Sequence, residues 1–187
     1  MKSIPKWNIE SEKTILRYPI FSLHEMKSSS AQDPYKKGTF VALHCPNWVN
    51  VIAITPDERI VFVEQYRHGI RDITWEIPGG LCDGEEDPLQ TGLRELSEET
   101  GYVGEDAEVI GVVQPNPAYQ NNICHTIVVH NARCQKEQRL DEHEEIRILT
   151  YSLAEVESLI AQGMIQNAMV VSAFYFFAQW QKNHQKA

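Results

Sequence analysis

Three things are scarce in this chain of 187 residues: paired cysteines, long apolar runs and unbalanced positive charge. The four cysteines, Cys45, Cys82, Cys124 and Cys134, form no Cys-x-x-Cys pair and keep no zinc-like spacing with histidine. The stretch from Met1 to Glu10 is polar and lacks the apolar segment of a secretory leader. Reduced thiols in a cytoplasmic protein are therefore expected. No apolar run approaches the roughly 20 residues that cross a bilayer, so no membrane partner is expected. Seventeen basic against 26 acidic side chains give a formal charge of -9. That excludes a nucleic-acid binder working through bulk positive charge. What is present is ordinary for a globular protein, with 42% hydrophobic and 23% charged residues, so disorder is excluded as a global description. The length suggests one main domain with at most a small appendage. A core of that size needs neither a disulfide nor a structural metal.

The acid excess is local. Between Glu76 and Glu108 lie eleven acids and one base, Arg94; the other 154 residues carry fifteen acids and sixteen bases. Around this block the pattern is mostly strand-like. Thr14 to Met26 and Thr39 to His44 read as β structure, separated by a loop around Ser28–Ser30, Gln32–Pro34 and Lys36–Gly38. Asn50–Thr55 and Arg59–Tyr66 are strand candidates divided by the turn-forming Pro56, Asp57 and Glu58. Further strands are expected over Glu108–Gln114, Ile123–His130 and Ile146–Tyr151. Asp87 to Thr100 reads as a helix, with Leu89, Leu93 and Leu96 forming one apolar stripe and Gly101 placed for a left-handed cap. Ser152 and Glu155 make a capping box for a second helix running to about Gln162. Asn167 can cap a third, Ala168 to Lys182, with Val171, Phe174 and Phe177 on its apolar face. This order, without regular β-α alternation, predicts an α/β protein with a mixed sheet between helices. Residues 1–46 are expected to form a small antiparallel β region, and 47–187 the main domain.

On the first helix Glu95, Glu98 and Glu99 are spaced i, i+3, i+4 and share one face. Three like charges weaken a helix unless something neutralises them. The single Arg94 cannot balance them, so a divalent cation is the natural counter-charge. Carboxylates alone suit Mg²⁺, Mn²⁺ or Ca²⁺ better than zinc. An acidic, solvated helix with no ligand is the plain alternative.

The order of residues shifts the balance between them through a resemblance. Gly80 is followed by five residues and Glu86, then by seven residues and Arg94-Glu95-Leu96-Ser97-Glu98-Glu99-Thr100-Gly101-Tyr102. This is similar to the Nudix box, G-x5-E-x7-R-E-U-x-E-E-x-G-U, where U is a bulky aliphatic residue. The seven glycine, acidic and arginine positions match, and Tyr102 departs from the final U. The resemblance implies a Nudix-type α/β/α sandwich and hydrolysis of a diphosphate linkage. It implies Glu95, Glu98, Glu99 and the Gly79 carbonyl as ligands for Mg²⁺ (Mn²⁺ possible). It implies Arg94 as the residue that orients these glutamates, with Glu86 in support.

Val63–Arg67, Trp75–Gly80, Pro117 and Gly163–Asn167 resemble segments of the ADP-ribose pyrophosphatase branch. The implied activity is cleavage of ADP-ribose or another nucleoside diphosphate sugar to a nucleoside monophosphate and a sugar phosphate. Arg67 is a candidate for holding a phosphate, because a guanidinium fork matches its geometry. Glu76 is a candidate acceptor for a ribose or base. Asn116–Asn122 lacks the serine and glycine common in ADP-ribose specialists, which points to a broader nucleoside diphosphate sugar hydrolase. Within it, Tyr119 could stack on a base and Asn121 could bind sugar hydroxyls. For the general base, the acidic loop Asp141–Glu145 offers Glu144 first and Glu142 second. The branch pairs through N-terminal strands, so a homodimer is implied, with Trp7, Tyr18 and Phe21 near the interface. The alternatives are a pyrophosphatase for a dinucleotide or coenzyme, and a non-catalytic sensor on the same fold. The intact glutamate cluster disfavours the sensor.

Overall fold

A computed structural model describes residues 3–184 and divides them between two compact units. The first comprises residues up to Pro46 together with Gln114–Asn122. Its three strands, β1 (Asn8–Tyr18), β2 (Phe21–Ser29) and β3 (Lys37–His44), pair antiparallel in that order. Tyr18 and Phe21 face each other across a turn made by Pro19 and Ile20, a proline placement that presets the turn backbone. The β region expected over Thr14 to Met26 is thus part of this hairpin. The loop after it is shorter than its serines suggest, because Ser28 and Ser29 still pair with Gly38 and Lys37. Beyond β3 the segment around Gln120 adds a parallel bridge to Leu43, with Leu43 N–H donating to the Tyr119 carbonyl at 2.7 Å.

The second unit holds two sheets. In one, β4 (Trp48–Ala53) runs parallel to β8 (Cys124–Cys134), which pairs antiparallel with β7 (Tyr102–Val113). In the other, β5 (Arg59–Arg67) lies between β6 (Asp72–Glu76) and β9 (Ile146–Ser152), antiparallel to both. Three helices complete it: α1 (Pro88–Thr100), α2 (Leu153–Ala161) and α3 (Ala168–His184).

Strand side chains alternate between faces, and each face feeds a separate core. Val49, Val51, Ala53, Val61, Ile127 and Val129 pack with Leu96 of α1. Ile52, Ile60, Phe62 and Val128 pack with Val156 of α2 and with Val170, Phe174 and Phe177 of α3. Helices therefore cover both faces, giving the α/β/α sandwich with a mixed sheet. Among the described residues no helix is long and apolar enough to cross a membrane.

Three local expectations are corrected, and one strand is added. β6 had no expectation, because five residues, two of them acidic, carry too little periodicity. β7 starts at Tyr102 rather than Glu108, and register shifts around Glu105 hide its alternation. β8 continues past His130 to Cys134. On α3, Val170 is buried and Val171 is exposed, so the apolar stripe begins one residue earlier. Asp87 caps α1, accepting from the Leu89 and Gln90 N–H groups, and Ser152 and Glu155 form the reciprocal box on α2.

Candidate active site

The site is built where the loop Ile77–Gly80 passes the last turns of α1. Two carbonyls of that loop are held by β4: Val51 N–H donates to Pro78 O (2.8 Å) and Val49 N–H to Gly80 O (3.0 Å). Between them, Gly79 N–H donates to Glu99 Oε2 at 3.0 Å. A Cβ on Gly79 would collide with the Val49 carbonyl, and one on Gly80 would occupy the space of the Glu95 carboxylate. The double glycine is what lets the loop lie against both a strand and two acidic side chains.

Arg94 is the hub of the cluster. Its Nη1 donates to Glu95 Oε1 (2.9 Å) and Glu98 Oε2 (3.1 Å). Its other face is clasped by Glu86, with Nε to Oε1 at 3.3 Å and Nη2 to Oε2 at 3.1 Å. One guanidinium thus fixes three carboxylates. Donation to Glu86, then to Glu98, with the charges of Glu95 and Glu86, pushes the Arg94 pKa well up against the opposing effect of burial.

Charge remains uncompensated beyond that. Glu99 is 4% exposed and, among the described residues, meets one N–H and no cation within bonding distance. Burial drives its pKa up to about 8; the Gly79 N–H opposes this, while Glu95 and Glu144 add repulsion. Glu95 is likewise raised, by burial first, with Arg94 opposing and Glu98 and Glu144 reinforcing. Buried carboxylates raised together, in a set with oxygen donors only, fit a hard divalent cation.

The loop that carries Glu144 is tied to the same helix end. Gln138 Nε2 donates to Glu99 O (2.7 Å) and Arg139 N–H to Glu98 O (2.8 Å), satisfying carbonyls that a helix terminus leaves open. Glu144 is exposed and makes a local turn with Asp141. Its charge acts on Glu95, Glu99 and Arg67. Glu142 is exposed and is not among the charges that shift those residues.

Arg67 and Glu76 form a buried fork. Arg67 Nε and Nη2 donate to Glu76 Oε1 (2.9 Å) and Oε2 (2.8 Å). Thr74 Oγ1 donates to the first oxygen (2.6 Å) and Asn167 Nδ2 to the second (3.1 Å). Burial resists ionisation of Glu76, but Arg67 and the other donors outweigh it and hold its pKa below the usual carboxylate range. Glu76 is 4% exposed, with both oxygens engaged, so its visible work is to hold Arg67. Arg67 Nη1 stays outside the fork, and Trp48 lies over the guanidinium at 5.9 Å. These residues line a cavity of about 700 Å³, with Ile70, Ile73, Met164 and Asn167 on its walls. Tyr119 and Asn121 belong to the first unit. There Tyr119 is exposed, and Asn121 Oδ1 accepts from the Cys45 N–H at 3.0 Å.

The NUDIX domain profile matches residues 46–174. The chain belongs to the NUDIX family. A methanol dehydrogenase activator of Bacillus methanolicus is 36% identical over 132 residues, 70% of this chain and 71% of its own. An ADP-ribose pyrophosphatase of Bacillus subtilis (strain 168) is 29% identical over 170 residues, 88% of this chain and 91% of its own. A solved structure described as an ADP compounds hydrolase superposes with a TM-score of 0.85 at 20% identity, covering all of both chains, and shows that the fold is shared.

For this Nudix chain, sequence reasoning missed Thr74, Asn167 as a partner of Glu76, Trp48 beside Arg67, and Gln138. Thr74 had a usable signal: it sits two residues before Glu76 on the same strand face. The others join residues far apart in sequence and carried none.

Proposed function

We propose that the protein is a metal-dependent pyrophosphohydrolase. It cleaves ADP-ribose and related nucleoside diphosphate sugars to a nucleoside monophosphate and a sugar phosphate. It works in the cytoplasm as a homodimer paired through residues 1–46, with no nucleic-acid or membrane partner. The observation that carries the reading is the Glu95–Glu98–Glu99 cluster, in which Arg94 holds Glu95 and Glu98 while the buried Glu99 meets the Gly79 N–H. The relative named ADP-ribose pyrophosphatase supports the substrate class.

Glu95, Glu98, Glu99 and the Gly79 carbonyl would hold Mg²⁺ or Mn²⁺. A bound cation supplies neutralisation of the diphosphate oxygens and a more acidic attacking water. The chain's own residues do the rest. Arg94, anchored by Glu86, keeps Glu95 and Glu98 in place, so little reorganisation is needed when charge develops. Arg67 presents its free Nη1 to a substrate phosphate, with its direction fixed by Glu76. Glu144 receives the proton of the attacking water, with Glu142 the second candidate. The cavity beside Arg67 takes the base or sugar, with Ile70, Ile73 and Met164 offering it apolar contact.

The test is a panel of ADP-ribose, other nucleoside diphosphate sugars and dinucleotides with Mg²⁺ or Mn²⁺, with phosphate release read through a coupled phosphatase. Turnover of a nucleoside diphosphate sugar is expected. Turnover of dinucleotides alone would move the substrate class, and none at all would sink the enzyme reading.

A further inference from the structure

The chain carries a second cluster of ligating side chains, in the first unit and independent of the proposed hydrolysis. Glu12 on β1, His24 on β2 and His44 on β3 bring one donor atom each to within 4.8 Å of one another. The register explains the meeting. Glu12 lies opposite Met26, and His24 opposite Thr14 and Ala42, while His44 lies opposite Ser22. The three therefore sit on one face of the sheet, along a diagonal that steps two residues per strand. Diagonal neighbours on a twisted sheet are within reach of long side chains.

We infer that Glu12, His24 and His44 form a binding site for a transition-metal cation of the zinc class. The donor set is two imidazoles and a carboxylate, which suits zinc and is poor for magnesium. Glu12 Oε1 is 3.3 Å from His44 Nε2. Two ligands each about 2.0 Å from a tetrahedral zinc are separated by roughly this distance. Glu12 Oε1 is 2.6 Å from His24 Nδ1, yet that nitrogen is buried without an aligned hydrogen bond. A donor atom closed off from water and facing a carboxylate without a proper bond is the state a cation would relieve, with the pair opening by about 0.7 Å, from 2.6 Å to the 3.3 Å that Glu12 keeps from His44. His24 already has the outer partner that metal-bound histidines use: Ser22 Oγ lies 2.8 Å from Nε2. With the Nε2 proton directed to Ser22, Nδ1 presents its lone pair inward. The two rings stack at 3.7 Å and 13°, which sets their in-plane lone pairs in parallel planes, so one imidazole turns out of the stack for both nitrogens to ligate one ion. His44 and Glu12 are each about one-third exposed, which leaves an entry path and room for water as a further ligand.

The site has a structural consequence. Among the described residues the first unit buries no apolar side chain, and a cation joining β1, β2 and β3 would staple a sheet whose described residues form no apolar core.

Calorimetric titration of the full chain with Zn²⁺, in excess Mg²⁺, tests this. One equivalent is expected to bind to the wild type and equally to Glu98→Gln. Binding should weaken at least about tenfold in His24→Ala, His44→Ala and Glu12→Gln, the last preserving side-chain shape. Co²⁺ on the unmodified protein gives a second readout, visible bands of nitrogen and oxygen ligation. No zinc bound by the wild type, affinity unchanged in all three variants, or a thiolate-to-cobalt band would overturn the assignment. None of these readouts uses hydrolysis, so failure here and failure of the enzyme reading are separable.

Discussion

The two compact units solve stability in opposite ways. The second buries two continuous apolar clusters on the faces of its strands, and its helices cover both. Among the described residues of the first, only Ser28 and Asn122 are buried, while Ile9, Ile15, Leu16, Tyr18, Phe40 and Val41 stand exposed. One unit can hold a charge-dense site because its core compensates. The other is a paired sheet whose apolar side chains have no cover from its own residues, which is the pattern of a surface awaiting a partner.

The largest expected effect tests the first half of this contrast. Chelation of divalent cations should abolish turnover, and Glu98→Gln should lower kcat by about 10²–10³-fold without unfolding the protein. Activity assays paired with circular dichroism check this; unchanged activity in Glu98→Gln would remove the residue from the metal site.

The two neighbouring glycines should break differently. Gly79→Ala meets strand backbone and should cost stability, on the order of several kcal/mol, read as a lowered denaturation midpoint. Gly80→Ala meets only the movable Glu95 carboxylate and should cost activity, about tenfold or more, with a smaller change in stability. Equal losses in both would mean that the loop acts as one rigid piece.

The pH dependence follows from the sign of two shifts. Glu99 binds its proton more tightly when folded, with a pKa of about 8 against an ordinary 4.5. Its contribution is therefore full below the unfolded value and is lost as pH rises through about 8. Glu76 is shifted the other way, so its contribution is present above the unfolded value and lost as pH falls. In metal-free protein, melting temperatures should decline from mildly acidic pH towards pH 8, on the order of 10 °C, and Mg²⁺ should reverse the decline. A metal-free profile flat over that range would contradict the buried carboxylate account.

The smallest effect concerns the first unit. Val41→Asp or Ile9→Asp should shift sedimentation from dimer to monomer while changing the core stability of the second unit by less than about 0.5 kcal/mol. A dimer indifferent to both would move the interface off this sheet.

Much of the acidic site was readable before any coordinates, because it is written in one contiguous run from Gly80 to Tyr102. Helix periodicity alone puts Glu95, Glu98 and Glu99 on one face, and Arg94 beside them. The parts that were not readable depend on distant pairs. Asn167 meets Glu76 across 91 residues and Gln138 meets Glu99 across 39. The same holds for strands: β4 and β5 announced themselves through apolar runs, whereas β6 and the start of β7 exist because a neighbour supplies their hydrogen bonds. Arg67 read as a free phosphate ligand because nothing local signals that Glu76 would claim two of its nitrogens.

Asn167 carries one last implication. Its Oδ1 accepts the Met169 N–H at the start of α3, while its Nδ2 holds Glu76. A single amide therefore serves as a foundation for a helix and as a wall of the cavity. Anyone reshaping that cavity to accept a bulkier base would be editing the seat of α3 at the same time. Redesign of specificity here should begin at Ile70, Ile73 or Met164, where the walls carry no such double duty.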